Sequence, residues 1–270
     1  MRMNAPKELF TENSLVRLKD KNWLEKQRVA GRIAAETLLL LANAVKTSKQ
    51  LNLNQLNQMG EDYITKHKDS TCTFKGYKGF PAGVCISVNK ELVHGIPKDY
   101  DLKDGDLVSF DLGVTYQGAI ADTALTVLVG EPDIATGRKW KLLDATYQSL
   151  MAGIHAIKVG SRLGIIGEAI WNSAKPSGFN VINNYGGHGL DWDVPHAPPF
   201  VENKSDSGKG IRIQPGLAIA IEPMLVLGST NTTTLNDGWT VVTPDLSAHF
   251  EHSIFVHEDH VEIITDRSGL

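Results

Sequence analysis

Carboxylates embedded in apolar, strand-like segments constrain this chain more than any other feature of its sequence. Asp111 interrupts the run Val108–Val114, and Asp122 interrupts the run Ala119–Leu125. A carboxylate in a buried strand is costly unless a cation or a hydrogen-bond donor compensates its charge. The two segments therefore predict a buried site that attracts positive charge.

The spacing of these aspartates predicts a β-hairpin that brings their carboxylates together. A direct pairing of Asp111 with Asp122 centres the hairpin between Tyr116 and Gln117, inside the glycine-bounded stretch 113–118. Side chains directly opposite each other on antiparallel strands lie about 5 Å apart. Two negative charges at that distance require a cation or a shared proton. The sequence thus predicts a hairpin whose two carboxylates bind a cation or share a proton.

Three more residues extend this pattern to a site for two metal ions. Glu222 follows the apolar run Leu217–Ile221, Glu251 lies in the strand-like segment 249–255, and His188 lies between glycines. One divalent cation would leave four carboxylates with excess negative charge, whereas two cations would balance them. Oxygen-rich sites with one imidazole suit Mn, Fe, Co or Zn, and paired ions are typical of many hydrolases. The predicted metal ligands are Asp111, Asp122, His188, Glu222 and Glu251.

The composition favours a folded cytoplasmic protein. The 270 residues are 41% hydrophobic and 21% charged, and the net charge is −4, which gives no general attraction to nucleic acid or to anionic membranes. No apolar run approaches the roughly 20 residues that span a bilayer, and we expect no signal peptide. Cys72 and Cys85 form neither a disulfide framework nor a CxxC motif, which favours a reducing compartment.

The order of predicted elements indicates one α+β domain. Apolar residues at helical spacing predict helices at 22–46, 53–66, 139–158 and 162–175. Short apolar or alternating runs predict strands at 84–88, 107–112, 119–129, 217–221, 238–242 and 249–256. Loops are expected at 74–83 and 202–210, and residues 1–20 are expected to form a short arm. Because no linker interrupts the chain, we assign 1–270 to a single catalytic domain, with helices and then strands in each of two similar halves.

Seven fragments in a fixed order resemble one family of enzymes. They are Val29–Glu36, Cys85–Asn89 with His94–Pro97, Asp106–Asp122, Gly187–Gly189, Ile221–Met224, Asp237–Thr240 and Phe250–Ser253. From about Trp23 to the C-terminus the chain resembles the pita-bread metallopeptidases, and within them the bacterial type I methionine aminopeptidases. The resemblance implies the creatinase/aminopeptidase fold: two pseudo-symmetric halves and a central curved antiparallel sheet covered by helices.

The resemblance also implies a role for each metal ligand. Asp111 would chelate one metal ion, and His188 and Glu222 would complete the site of the other. Asp122 and Glu251 would bridge both ions. The implied reaction is removal of the N-terminal initiator methionine from peptides and nascent proteins, when the second residue is small. Any transient ribosome contact would use the surface of the catalytic domain itself.

Other matching positions would recognise the substrate. His94 would hydrogen-bond near the scissile amide, His196 would contact the carbonyl, and Glu222 would carry a proton to the leaving amine. The pocket for the methionine side chain would be lined by Tyr77, Phe80, Cys85 and Trp239. Such a pocket suits a flexible thioether, which packs well against aromatic rings and sulfur.

The segment between His188 and His196 departs from the family pattern. Asp191 stands where glycine is usual, and His196 lies one position later than usual. In the pocket loop, Lys78 and Phe80 stand where the family often has histidine and a second tyrosine. These differences affect the expected position of His196 and the rim of the pocket, but none of them alters a predicted metal ligand.

Two other functions remain open on the sequence alone. The first is an Xaa-Pro aminopeptidase or dipeptidase on the same fold. Such enzymes usually carry a sizeable extra N-terminal domain, which the roughly twenty residues before Trp23 would not supply. The second is a non-catalytic pita-bread binding protein. Proteins of that kind typically lose metal ligands, and failure to bind two metals would favour this alternative.

Overall fold

The computed structural model of the chain describes residues 8–10, 15–47, 51–130 and 137–269. The α-helices are α1 (Lys21–Thr47), α2 (Leu53–Thr65), α3 (Gly137–His155) and α4 (Gly164–Ala174), and two short 3-10 helices span Tyr77–Gly79 and Lys175–Ser177. The first strands are β1 (Glu8–Phe10), β2 (Leu15–Arg17), β3 (Ser70–Cys72), β4 (Cys85–Val88), β5 (Glu91–Val93), β6 (Leu107–Tyr116), β7 (Ala119–Leu128) and β8 (Asn180–Val181). The remaining strands are β9 (Gly186–Asp191), β10 (Val194–Glu202), β11 (Ala218–Ile221), β12 (Met224–Val226), β13 (Thr233–Thr234), β14 (Val241–Val242), β15 (Ser247–His249), β16 (Glu251–Val256) and β17 (Val261–Ile263).

A nine-stranded antiparallel sheet forms the centre of the molecule. Its strands follow the order β10-β9-β11-β16-β7-β6-β3, with β17 beside β16 and β4 beside β6. Smaller sheets are formed by β1-β2, by β15-β12-β8 and by β13-β14-β5. The α+β class predicted from the sequence is confirmed by this arrangement of helices and antiparallel strands.

Each pair of helices covers a different part of the large sheet. Helix α1 packs against β6 and β7, and α2 packs against α1, β3 and β4, around fully buried residues such as Trp23, Leu38 and Leu56. Helices α3 and α4 pack together on the strands of the other half, around residues such as Leu150 and Ile170. Burial of these apolar faces is the main contribution to stability. Among the described residues, no helix is long and apolar enough to cross a membrane.

The four predicted helices are confirmed, with ends that differ by three residues or fewer. The prediction missed the hairpin of β9 and β10, because glycines and prolines interrupt the strand pattern. Pro195, Pro198 and Pro199 cannot donate backbone hydrogen bonds, but β10 is an edge strand and tolerates them.

The strand predicted at 249–256 is divided at Phe250. Its first part, β15, pairs with β12, and its second part, β16, pairs with β7 and β11. The strand predicted at 238–242 is reduced to Val241–Val242. Asp237 shortens it, because its carboxylate accepts hydrogen bonds from the backbone of Trp239 and Thr240, both at 2.9 Å, and so forms a turn.

Candidate metal centre and substrate pocket

Strands β6 and β7 place Asp111 and Asp122 on one face of the sheet, but not directly opposite each other. Asp111 pairs with Ala124, so the two aspartates are diagonal neighbours. The predicted register was wrong by two residues because the turn is tight and lies later in the chain. It consists of Gln117 and Gly118, whose φ angles are 46° and 85°, as in the two-residue turns that match the twist of a hairpin.

Glu251 reaches the same face from the other side of β7. Asp111, Ala124 and Glu251 form one row across β6, β7 and β16. Ala124 carries only a methyl group, so space remains between the two outer carboxylates. Asp122 lies two residues from Ala124 along β7 and therefore points to the same face. One oxygen of Asp111, one of Asp122 and one of Glu251 all lie within 4.8 Å of one another.

Glu222 and His188 form a second group that shares Glu251. Glu222 directly follows β11, which pairs with β16 on one side and β9 on the other. His188 Nε2 lies 3.6 Å from Glu222 Oε1, 3.8 Å from Asp122 Oδ2 and 3.9 Å from Glu251 Oε1. Its Nδ1 lies 3.2 Å from the carbonyl oxygen of Gly189, a contact that directs Nε2 towards the carboxylates.

These carboxylates lack the partners that buried charges need. Within the described residues, neither carboxylate oxygen of Asp122 nor Oε1 of Glu251 has a hydrogen-bond partner. Burial raises the pKa of Asp122 to about 7. Burial and neighbouring carboxylates together raise the pKa values of Asp111, Glu222 and Glu251 well above their ordinary range. Protons or cations must therefore compensate the cluster.

The donor set fits two divalent cations. Burial lowers the pKa of His188 to about 4, so its imidazole is neutral at neutral pH and can donate a lone pair to a metal. The two groups, Asp111–Asp122–Glu251 and His188–Glu222–Glu251, each offer three ligands and share one of them. Carboxylate-rich sites with one imidazole match the ligand preferences of Mn, Fe, Co and Zn.

His249 lies behind Glu222. Its side chain is 1% exposed, and its Nε2 lies 3.2 Å from Glu222 Oε2, without the angles of a regular hydrogen bond. Its backbone is fixed, because its N–H donates to Thr126 Oγ and its carbonyl accepts from the same hydroxyl. Burial lowers the pKa of His249 to about 3. The imidazole that contacts Glu222 is therefore uncharged at neutral pH. Its position two residues before Glu251 was the signal available in the sequence.

One cavity of about 200 Å³ contains every site residue predicted from the sequence. Its lining residues are Phe74, Tyr77, Lys78, Phe80, Cys85, His94, Asp111, Asp122, His188, His196, Glu222, Trp239 and Glu251. The sequence did not assign Phe74 or Lys78 to the pocket. The carboxylates lie on one wall, and aromatic rings with the Cys85 thiol form an apolar wall. The cavity thus combines a polar reaction centre with space for an apolar side chain.

The backbone of His94 adopts a left-handed conformation, with a φ of 58°. This conformation is uncommon for a residue other than glycine and often occurs at functional sites. The next residue, Gly95, approaches β4 so closely that a Cβ would lie 2.4 Å from the carbonyl oxygen of Ile86. The loop is thereby fixed to the sheet, and the His94 ring packs 6.3 Å from the ring of Trp239. Burial lowers the pKa of His94.

His196 lies at the rim of the cavity on β10. Its ring centre is 4.5 Å from that of His188 and 5.5 Å from that of Tyr77, and both contacts are edge-on. Much of the residue is exposed, yet the pocket walls desolvate its imidazole and lower its pKa to about 3. The departures around Asp191 thus leave His196 beside the metal-ligand groups.

The apolar wall is assembled from two loops. Phe80 and Trp239 meet edge to face with their ring centres 5.2 Å apart. Cys85 packs in the same cluster, and it pairs with Asp111 across β4 and β6. Burial raises the pKa of the Cys85 thiol well above its usual value, so it stays neutral and behaves as a small apolar group.

Comparisons with known proteins agree with this geometry. The model of metallopeptidase family M24 matches residues 25–258. A methionine aminopeptidase of Clostridium perfringens is 40% identical over 253 residues, which are 93% of this chain and 99% of that protein. Methionine aminopeptidase 1 of Bacillus subtilis is 42% identical over 240 residues, covering 88% of this chain and 94% of that protein.

Solved structures give the same result. The methionine aminopeptidase of Rickettsia prowazekii superposes with a TM-score of 0.87 at 36% identity, covering 93% of this chain and 100% of that one. The corresponding enzyme of Thermotoga maritima gives 0.88 at 35% identity, covering 93% and 99%. A prolidase of Pyrococcus furiosus shares the fold alone, with a TM-score of 0.71 at 18% identity, covering 92% and 65%. The predicted pita-bread fold is confirmed, and the chain belongs to metallopeptidase family M24 and, within it, to the methionine aminopeptidases.

Proposed function

We propose that this chain is a metal-dependent methionyl aminopeptidase, which removes the N-terminal methionine from peptides and nascent proteins. The observation that carries the proposal is that the metal-ligating residues and the apolar pocket line the same cavity. Two metal-ligating groups that share Glu251 adjoin an apolar pocket formed around Cys85, Phe80 and Trp239. An exopeptidase needs this proximity, because the side chain it recognises belongs to the residue that it releases.

The five buried ligands would hold two divalent cations. Asp111 would bind the first ion, His188 and Glu222 the second, and Asp122 and Glu251 both. When bound, such a pair supplies Lewis acidity and an activated water nucleophile for hydrolysis of an amide. The choice among Mn, Fe, Co and Zn depends on affinity order and on availability in the cell.

The apolar wall would accept the methionine side chain. The unbranched thioether would pack against Phe80 and Trp239, with the neutral Cys85 thiol and Tyr77 completing the contact. Cys85 is the cross-strand partner of Asp111. The side-chain pocket therefore begins beside Asp111. We assign Asp111 to the end of the site that receives the free α-amine of the substrate. Recognition of a free amine there would restrict cleavage to N-termini.

Three residues would act on the scissile bond. His94 and His196 have lowered pKa values, so they act as neutral hydrogen-bonding groups. We assign His94 to the scissile amide and His196 to the substrate carbonyl, where a hydrogen bond stabilises developing negative charge. Glu222, supported by His249, would carry a proton to the leaving amine.

The wider setting is a proposal of the same kind. A small second residue, a cytoplasmic location and a single catalytic domain over 1–270 are consistent with the resemblance and with two buried free cysteines. Contact with a ribosome, where it occurs, would be transient.

The two alternatives are set aside: the Xaa-Pro enzymes share the fold at low identity, and the five ligands that a non-catalytic relative would lose are present and grouped.

The test is release of free methionine from the peptide Met-Ala-Ser. Metal-depleted protein is titrated with Mn(II), Co(II), Fe(II) or Zn(II), beside Asp111→Asn and beside an Xaa-Pro peptide as competing substrate. Metal-dependent release that is lost in Asp111→Asn supports the proposal. Cleavage of the Xaa-Pro peptide alone would assign the chain to the other enzymes of this fold. Folded protein that binds no metal would indicate the non-catalytic alternative.

A further inference from the structure

The hairpin of β9 and β10 carries two site histidines at the edge of the large sheet. His188 lies on β9, which pairs with the central strand β11 at Gly189. His196 lies on β10, the edge strand. The neighbouring strand therefore fixes His188 directly, whereas His196 depends on how β10 is held against β9.

The pairing of β10 is irregular where His196 lies. The first three cross-strand pairs are Val194 with Asp191, Ala197 with Gly189, and Phe200 with His188, and the register shifts between each of them. Pro195 has no backbone N–H to donate. His196 is thus located in a bulged stretch, between one pair at the hairpin tip and one pair further along. Whatever fixes the tip also limits the movement of His196.

Lys19 fixes the tip through Asp191. Its Nζ lies 2.9 Å from Asp191 Oδ1, and its side chain is only 5% exposed. The same ammonium group donates to the carbonyl oxygen of Arg17 at 2.7 Å, and the N–H of Lys19 donates to the carbonyl oxygen of Gly216 at 2.7 Å. Arg17 adds a longer ion pair at 3.6 Å to Asp191 Oδ2. The ion pair thus joins the segment before α1 to the hairpin.

Further contacts at the tip show that it is a packed structure. The rings of Trp192 and Trp23 meet edge-on with centres 6.4 Å apart, and the N–H of Asp193 donates to the carbonyl oxygen of Gly118 at 3.0 Å. Gly118 belongs to the β6–β7 turn, and Trp23 belongs to α1. The tip therefore contacts both the helix and the hairpin that carries the central aspartates.

We propose that Lys19 is a positioning residue for His196: its ion pair with Asp191 fixes the β9–β10 tip and so keeps the imidazole at the rim of the substrate pocket. Lys19 does not line that pocket, so it acts through the hairpin. Loss of the Lys19 charge would leave Asp191 with only the longer ion pair to Arg17, whose side chain is 51% exposed, and exposed ion pairs contribute little. The inference rests on the aminopeptidase function proposed above.

The first test compares Lys19→Met with Lys21→Met, a matched change at a side chain that is 87% exposed. We expect Lys19→Met to lower kcat for Met-Ala-Ser about tenfold, with metal content unchanged, as for other residues that orient a site from outside it. Lys21→Met should match the parent protein. Lys19→Arg, which keeps the charge, should restore most of the loss. An unchanged kcat in folded Lys19→Met overturns the proposal.

The second test asks whether the effect passes through His196. In a His196→Ala background, Lys19→Met should lower kcat less than about twofold, because changes that act through one group are not additive. The same tenfold loss in both backgrounds would mean that Lys19 acts by another route. If Lys19→Met does not fold, Asp191→Asn replaces it in both comparisons.

A third measurement does not depend on catalysis. Amide hydrogen exchange is followed in peptides from residues 186–202, in the parent protein and in both lysine variants. Faster exchange at 190–198 in Lys19→Met alone, with peptides from β11 unchanged, supports the proposal that Lys19 fixes the hairpin tip. Unchanged exchange overturns it. If the parent protein releases no methionine, the proposed function fails, and the positioning of His196 is decided by the exchange result alone.

Discussion

The central carboxylates and the rim histidines are held in the same site by different means. Asp111, Asp122 and Glu251 lie on β6, β7 and β16, and each of these strands has hydrogen-bonded neighbours on both sides. His196 lies on a bulged edge strand that is fixed through the hairpin tip. His94 lies on a loop and in a strained backbone conformation. The positions of one half of the site are therefore fixed by the hydrogen bonds of the sheet, and those of the other half by individual side-chain and loop contacts.

This difference follows from the free-energy cost of misplacing each kind of side chain. Carboxylates that approach each other this closely repel strongly in a buried setting, so their spacing must be fixed before a cation can compensate them. The histidines are neutral and contact a substrate that enters and leaves. We therefore expect changes in the central strands to abolish metal binding, and changes at the rim to alter turnover while metal is retained.

The largest effect is expected from Asp122→Asn. This change preserves the volume of the side chain but removes a charge from the centre of the cluster, and Asp122 is fully buried. We expect loss of metal from the protein, measured by elemental analysis, and methionine release near the uncatalysed level. Asp259→Asn, at a side chain that is 87% exposed, is the matched control. Full metal content in Asp122→Asn would contradict the assignment of this residue as a ligand.

His94→Ala should separate the two halves of the site. We expect folded protein with its metal content unchanged and a loss of turnover of about 100-fold or more, as is typical when a group that hydrogen-bonds to the reacting atoms is removed. Steady-state release of methionine and elemental analysis measure the two quantities, and His260→Ala on the exposed β16–β17 turn serves as control. Near-normal turnover would remove His94 from the mechanism.

The central half of the site could be predicted from the sequence, whereas much of the rim could not. A single carboxylate inside an apolar strand, as at Asp111, is recognisable because its burial cost needs an explanation. The predicted register was wrong because it paired Asp111 directly with Asp122, across a turn that began at Gly113. Gly113 lies within β6 instead, where a Cβ would come within 2.8 Å of the Thr73 side chain. Close packing against a neighbouring strand leaves no pattern in the local sequence.

The β9–β10 hairpin was missed for a related reason. Its glycines and prolines indicate a loop, and the contacts that stabilise it come from residues far away in sequence, such as Lys19 and Trp23. Tertiary contacts override local propensity here. The contact of His249 with Glu222 likewise could not be predicted, because it depends on the break at Phe250 between two strands of different sheets.

His249→Asn tests whether the central half extends beyond the ligands. The change removes the ring that lies 3.2 Å from Glu222 Oε2. We expect a 10- to 100-fold loss in metal affinity or turnover, about the range found for groups that orient a ligand. Metal titration by calorimetry and methionine release measure it, beside His260→Asn as the exposed control. A variant equal to the parent protein would limit His249 to a packing role.

Removal of the metal ions should give a smaller effect that depends on pH. The carboxyl groups of the cluster have raised pKa values in the metal-free fold, about 7 for Asp122, whereas in the unfolded chain they titrate near pH 4. Below pH 4 both states hold the protons, and no penalty arises. As the pH rises from 4 through 7, the unfolded state releases protons more readily than the fold does, so stability is lost.

The metal-free protein should therefore melt several degrees lower at pH 8 than at pH 5.5, since one unit of pKa shift corresponds to about 1.4 kcal/mol and about 1 kcal/mol moves Tm by 2–4 °C in a domain of this size. Bound metal compensates the same charges and stabilises the fold by mass action, so the difference between loaded and metal-free protein should widen with pH. Scanning calorimetry in matched buffers, with and without chelator, measures both curves. Parallel curves would mean that the central carboxylates are compensated by something other than metal, and the contrast between the two halves of the site would lose its electrostatic basis.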